Sequence, residues 1–248
     1  MWVGGQQVTN DGMQIHRDIK GVQSVTYDET SNTYTLTLCG YRYQGSGYTY
    51  GLHDSGIRFS ENAALHIVLA DNSVNSIDLS PSTNYAIYGI HSTEPVIISG
   101  NGELELNCYR PSEGSESYGI WVDYGNPLTI NGGNITIKAD SDVNGLGIFM
   151  EGHSTIGTVT INGGTLDIDA ESCGIRWREP GTLAINGGDV TLRGYFVLYN
   201  GTLQLGSEMT ATASDNRDGS NAETYDPAHT DQDVPSVSSY KYFHAGSN

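Results

Sequence analysis

The chain reads as all-β, a right-handed single-stranded parallel β-helix (a β-solenoid) closed at its start by strands and a hairpin. Three observations lead there. A unit of strand, Gly-rich bend and strand recurs along the chain, and repeats of this kind are the signature of stacked coils. A second motif, Gly-Ile followed by alternating side chains, recurs in phase with the first. Within both, polarity alternates with period two, which belongs to strands and not to helices.

The elements follow in chain order. Met1-Trp2-Val3-Gly4-Gly5 leads straight into a strand, without the basic-then-apolar stretch of a secretory leader, as in a domain cut from a larger secreted protein. Residues 24–38 alternate around a polar turn at Asp28 to Asn32 and read as a hairpin. With Trp2 to Thr9 it closes the N-terminal end, because an open solenoid end exposes unpaired backbone and apolar surface. Residues 1–55 are therefore assigned to the cap, 56–212 to the coils and 213–248 to a polar loop and a terminal strand near Tyr240 to Phe243. Together they form a single domain, which suits 248 residues.

Four copies of the first unit are plain: residues 95–106, 127–138, 158–169 and 182–193. A degenerate copy covers 202–212, and residues 65–77 hold an earlier one. The isoleucine before each bend falls at 98, 130, 161 and 185, in steps of 32, 31 and 24 residues. Asn-Gly-Gly at the bend supplies the positive φ that a sharp corner needs. The second motif appears at Gly56-Ile57, Gly89-Ile90, Gly119-Ile120, Gly147-Ile148 and Gly174-Ile175, with Gly194-Tyr195-Phe196-Val197 as a variant. Each coil thus carries three short strands. Stacking at about 4.8 Å sets like positions into columns. The expected inward columns are Ile98, Ile130, Ile161, Ile185, Leu205 and Leu104, Ile135, Leu166, Val190, Met209. Residues 108–117, 139–144 and 213–237 read as surface loops.

Composition limits the function. The chain has 11 Lys+Arg against 29 Asp+Glu, a formal net charge of −18, which repels nucleic acid and anionic membranes. No run is long enough to insert into a membrane. Cys39, Cys108 and Cys173 lie too far apart for a disulfide framework or a zinc site, and read as small buried packing residues.

Residues 25–38, the repeated Tyr-Gly-Ile, the repeated Thr-Ile-Asn-Gly-Gly or its variants, and Tyr240-Lys-Tyr resemble the carbohydrate-binding, polysaccharide-lyase-like parallel β-helix domains of secreted bacterial proteins. The resemblance covers nearly the whole chain. It implies an extracellular or cell-surface location, plant cell-wall polysaccharide as partner, and calcium. It brings no invariant catalytic signature.

Site residues come from the sequence itself. After Gly-Ile, a first outward column runs Arg58, His91, Trp121, Phe149, Arg176, Phe196. A second runs Ser60, Thr93, Asp123, Glu151, Arg178, Leu198. Exposed aromatic rings beside arginine suit a sugar polymer: the rings stack on apolar sugar faces, and guanidinium forks donate to hydroxyls or carboxylates. The expected ligand-binding residues are Trp121, Phe149, Arg176, Arg178, His91 and Arg58. The competing reading packs these aromatics beneath loops. Asp123, Glu151 and Arg178 on successive coils also suit a calcium-dependent pectate-lyase-like enzyme, in which Arg178 acts as base or charge stabiliser. Glu151–Arg178 is equally a cross-strand salt bridge. Asp140, Asp142, Asn144 and Glu151 match the spacing of a calcium loop. Lys138, Asp169 and Arg193 form a structural charge ladder. The leading expectation is a non-catalytic carbohydrate-binding module, assisted by calcium, that is a monomer within a larger multidomain surface protein. A cell-surface structural or adhesion module is the other alternative.

Overall fold

The computed structural model describes residues 1–10, 13–14, 19–79, 86–110, 115–141, 143–152, 156–225 and 239–247. The chain is 67% strand and 0% helix, so sheet packing alone builds the core. The architecture is the expected β-solenoid, with mostly parallel strands.

Three faces form the coil. The first carries the Gly-Ile motif: His53–Phe59, Ala86–Ser92, Glu116–Val122 and Asn144–Met150, then the opening residues of Cys173–Ile185 and Phe196–Leu205. The second stacks Thr33–Leu38, Ala64–Leu69, Val96–Gly100, Leu128–Ile130 and Thr158–Ile161, then the closing residues of the same two long strands. Those long strands run around a corner, which joins the first two faces into one sheet. The third face stacks Arg42–Gly45, Val74–Leu79, Glu103–Arg110, Asn134–Ser141, Thr165–Ala170 and Asp189–Arg193.

The columns follow from this register. Ile67, Ile98, Ile130, Ile161, Ile185 and Leu205 are successive partners on the second face, and Leu104, Ile135, Leu166 and Val190 on the third. Ile98, Ile130, Ile161 and Ile185 are wholly buried, each contributing roughly 1.5–3 kcal/mol through removal from water. The residues belong to one continuous apolar cluster that runs from Met1 to Ala245.

Between the second and third faces, the second glycine of each Asn-Gly-Gly turns the corner. Gly133, Gly164 and Gly188 have φ of +91°, +82° and +89°, a region open to glycine without penalty. The asparagines stack outside them as a ladder: Asn186 donates to Asn162 at 2.9 Å, and Asn162 to Asn131 at 2.8 Å. The first face bends at its glycines for another reason. A Cβ on Gly119 would lie 2.2 Å from Cγ2 of Ile137 and 2.6 Å from the Gly147 carbonyl oxygen, so no side chain fits.

The ends depart from simple stacking. Val22–Asp28 pairs antiparallel with Thr33–Leu38, and Trp2–Val3 pairs antiparallel with His53–Phe59, so the expected cap is present. At the other end, Tyr242–Ser247 inserts antiparallel between Asp189–Arg193 and Met209–Ser214. Ala245 takes the place beside Val190 that was expected for Met209; one strand further out the column continues at Ala211, and Met209 pairs with Ser247 instead. The expected loops are also shorter. Glu103–Arg110 and Asn134–Ser141 carry strand into two of them, and the third contains Glu223–Tyr225. Cys108 and Cys173 are buried as expected, but Cys39 is exposed. Lys138, Asp169 and Arg193 are register partners. Their ion pairs run elsewhere: Lys138 to Glu105 at 2.9 Å, Arg193 to Asp167, and Asp169 to Arg217 at 2.7 Å.

Candidate carbohydrate-binding surface

The first face presents its outer side as two columns. One is the expected Arg58, His91, Trp121, Phe149, Arg176, each the direct partner of the next. Its next member is Tyr199, not Phe196, because Arg176 pairs with Tyr199 and Phe196 with Cys173. Leu198 likewise leaves the expected Asp123 column: it pairs with Ile175 and is wholly buried. The Gly194 variant therefore follows a different register from the motif it resembles.

Period-two counting misses the second column. It runs Ser55, Tyr88, Tyr118, Leu146, Cys173, Phe196. Strict alternation through Tyr88-Gly89-Ile90-His91 would turn Tyr88 inward when His91 points outward. A Cβ on Gly89 would meet Cys108 and Leu106 of the core, and Ile90 is itself in the core, so two consecutive positions face inward. The bend returns Tyr88 to the outside. The signal was present in the repeated Tyr-Gly-Ile.

These columns lean together into an apolar cluster outside the main core: Ala86, Tyr88, Tyr118, Leu146, Phe149 and Cys173, with Trp121 and Phe196 packed against it. Tyr88 and Tyr118 stack at 5.2 Å, and Trp121 meets Tyr118 and Phe149 edge-on at 4.6 and 4.7 Å. Burial pushes the Tyr88 and Tyr118 phenols well above their ordinary range. Phe149 is only 9% exposed, so it supports the surface and offers little of its ring to a ligand. What covers it is Tyr118, Trp121 and Arg176 of the same face. Arg176 lies over the rings of Phe149 and Tyr199, its guanidinium carbon 6.0 and 5.2 Å from their centroids, within cation–π range.

Beside the cluster opens a pocket of about 420 Å³, walled by Tyr50, His53, Arg58, Tyr88, His91, Trp121, Asp123, Tyr124 and Glu151. Its polar groups form a chain. Trp121 Nε1–H donates to one Asp123 oxygen, and His91 Nε2 lies 3.0 Å from the other. Arg58 Nη1 lies against both ring nitrogens of His91, 2.6 Å from Nε2. Tyr88 and His53 Nδ1 share a hydrogen bond of 2.6 Å. Arg178 donates to Glu151, which is the salt bridge offered as the plain reading of this column, and Arg178 itself is half exposed.

Two rim residues went unread in the sequence. Tyr50, on the strand Tyr48–Tyr50 beside His53–Phe59, is 66% exposed, and Tyr124 is 60% exposed. Tyr124 holds φ at +59°, rare for a bulky side chain and a form of strain that collects at functional sites. No pattern within a single coil marks either residue.

Comparison with protein-family models, with curated proteins and with solved structures returned no match.

Of the expected calcium-loop residues, Asn144 and Glu151 are held apart by a strand. Asp140 lies in Asn134–Ser141, and Asn144 opens the next strand, where its side chain donates to Glu116 at 2.8 Å. Glu151 follows the far end of that strand, about 20 Å away for seven extended residues. Asp142 lies outside the described residues. Among the described residues, no cluster of His, Cys, Asp and Glu is arranged to hold a metal ion.

Proposed function

We propose that this chain is an extracellular, non-catalytic carbohydrate-binding module, and that the pocket on the first face is its sugar site. One observation carries the reading. Two exposed tyrosines, Tyr50 and Tyr124, flank a pocket whose wall holds Trp121 and a connected set of hydrogen-bonding groups. Exposed rings offer flat apolar faces to a pyranose, and the polar chain from Arg58 to Asp123 offers donors and acceptors to its hydroxyls. Arg176 and Tyr199 extend the same face along the coil axis. Four rung steps separate Arg58 from Arg176, about 19 Å at 4.8 Å per rung, enough for several sugar units of a polymer.

The test is retention on a panel of soluble and insoluble polysaccharides. Tyr50→Ala and Tyr124→Ala remove exposed rings without opening the core. Each should weaken binding about tenfold, or about 1.4 kcal/mol for an aromatic anchor, at an unchanged melting midpoint. Calcium enters as an assisting cation only if chelator lowers retention. If the panel gives no binding, or both variants bind as the parent does, the reading fails.

A further inference from the structure

We infer that Arg176 is an anion subsite of the first face, which takes the carboxylate of an isolated acidic residue in an otherwise neutral glycan. The inference rests on the sugar-site reading above and names the kind of chain that the surface prefers.

Basic side chains are scarce here, 11 Lys+Arg against 29 Asp+Glu, and acids are within easy reach of most positions. Lys138, Arg178, Arg193 and Arg217 each hold a carboxylate. Arg176 does not. Among the described residues no carboxylate pairs with it, and its Nε is buried without a hydrogen-bond partner. The acids of the same face are engaged elsewhere. Glu151 accepts from Arg178, two residues along the same strand, and Glu116 accepts from Tyr118 and Asn144. Arg58, at the other end of the column, differs: it lies against His91 and in the field of Asp123. A charged donor left without an acceptor costs free energy that a ligand oxygen can return.

Aromatic rings hold the guanidinium in place of an acid. Its carbon is 6.0 Å from the centre of the Phe149 ring and 5.2 Å from that of Tyr199. The rings orient the planar fork by cation–π attraction and leave its N–H groups unspent. Burial without a partner is confined to Nε in this half-buried residue, so the two terminal nitrogens are the ones open to a ligand. A carboxylate meets such a pair with two parallel N–H···O bonds. Because the fork is already oriented, little freedom is lost on binding. Tyr199 is 47% exposed, which leaves ring surface for the sugar that carries the acid.

The net charge of −18 decides which acidic glycan fits. A chain with an acid on every residue is repelled along its whole length. An isolated acid on a neutral chain meets that repulsion once, where Arg176 answers it, and charges beyond about 8–10 Å are largely screened at physiological salt. Two rung steps, about 10 Å, separate Arg176 from Trp121 in the pocket wall. The acid therefore belongs to a unit further along the chain than the one in the pocket.

The experiment has two arms. In the first, the Arg176 side-chain NMR signals are followed as sodium glucuronate or glucose is added to the chain. Glucuronate is expected to move them saturably and glucose to leave them in place, while the signals of the paired Arg178, Arg193 and Arg217 stay put. The second arm measures retention on glucuronoxylan (isolated acids on a neutral backbone), on neutral arabinoxylan and on polygalacturonate, for the parent and for Arg176→Gln, with a melting midpoint to verify that the variant folds. The parent is expected to favour glucuronoxylan over arabinoxylan about tenfold, and the variant to bring that ratio near one. Glucuronate that leaves Arg176 unmoved, or moves the paired arginines equally, overturns the subsite. So does an unchanged ratio in Arg176→Gln. Polygalacturonate retained better than glucuronoxylan overturns the restriction to isolated acids. Absence of binding to every polysaccharide removes the sugar site, while the glucuronate titration still decides the fate of Arg176.

Discussion

Replacing Gly119 with alanine pits two physical effects of opposite sign against each other. Gly119 is not among the residues with positive φ, so its backbone would accept alanine. On backbone grounds alone, Gly→Ala should stabilise by about 0.4–1 kcal/mol, because the unfolded chain loses freedom. The packing says otherwise. The new methyl would sit 2.2 Å from Cγ2 of wholly buried Ile137 and 2.6 Å from the carbonyl oxygen of Gly147 on the neighbouring coil. Neither can retreat: Ile137 is enclosed by the core, and the carbonyl belongs to the next rung. Overpacking of this kind costs about 1–3 kcal/mol, which outweighs the entropic gain. For a chain of this size that lowers the melting midpoint by roughly 2–10 °C. Thermal unfolding followed by far-ultraviolet circular dichroism reads the shift. Ile137→Ala alone should cost about 2–5 kcal/mol, and the double variant should lose less than the sum, by about 0.5 kcal/mol or more. A midpoint that rises in Gly119→Ala, or strictly additive losses in the pair, would refute the view that the first face bends because core side chains occupy the glycine positions.

Other outcomes follow from the same structure. Phe243→Ala should destabilise by about 3–5 kcal/mol in a urea titration, since a wholly buried ring of the inserted strand is removed. Asn162→Ala breaks both ladder bonds to Asn131 and Asn186, yet the site is exposed, so the loss should stay near 1 kcal/mol. Thiol labelling of the folded chain at mildly alkaline pH should modify Cys39 alone. Burial pushes the Cys108 and Cys173 thiols up to about 12, so both remain protonated and shielded until the chain unfolds.

The parts of the fold legible in sequence were those governed by strictly local repetition. Ile98, Ile130, Ile161 and Ile185 recur at the same point before the same bend, and a stack of equivalent strands must bring them together. The outward column from Arg58 to Arg176 was legible for the same reason. The rest depended on departures from periodicity. Counting by twos from His91 misplaces Tyr88, because Gly89 and Ile90 both turn inward. Phe196 looked equivalent to Phe149, but the coil after Arg176 is shorter and shifts register between Arg176 and Gly181. The spacing of Asp140, Asn144 and Glu151 matched a metal loop, yet Asn144–Met150 is extended and keeps its ends apart. Tyr50 and Tyr124 reach the pocket from a short antiparallel strand and from a turn, and neither placement has a repeat to announce it.

The inserted strand has a consequence for how the molecule is made. Among the described residues, Met209–Ser214 makes its sheet bonds to Tyr242–Ser247 and Glu223–Tyr225, not to the coil that precedes it. During synthesis the earlier coils can zip one upon another as they emerge, each templated by its predecessor. The layer beyond Asp189–Arg193 has no such template until a much later stretch of polypeptide doubles back into the gap. The stack therefore follows chain order for most of its length and departs from it in its last layer, like a seam sewn forward and then closed with a backstitch.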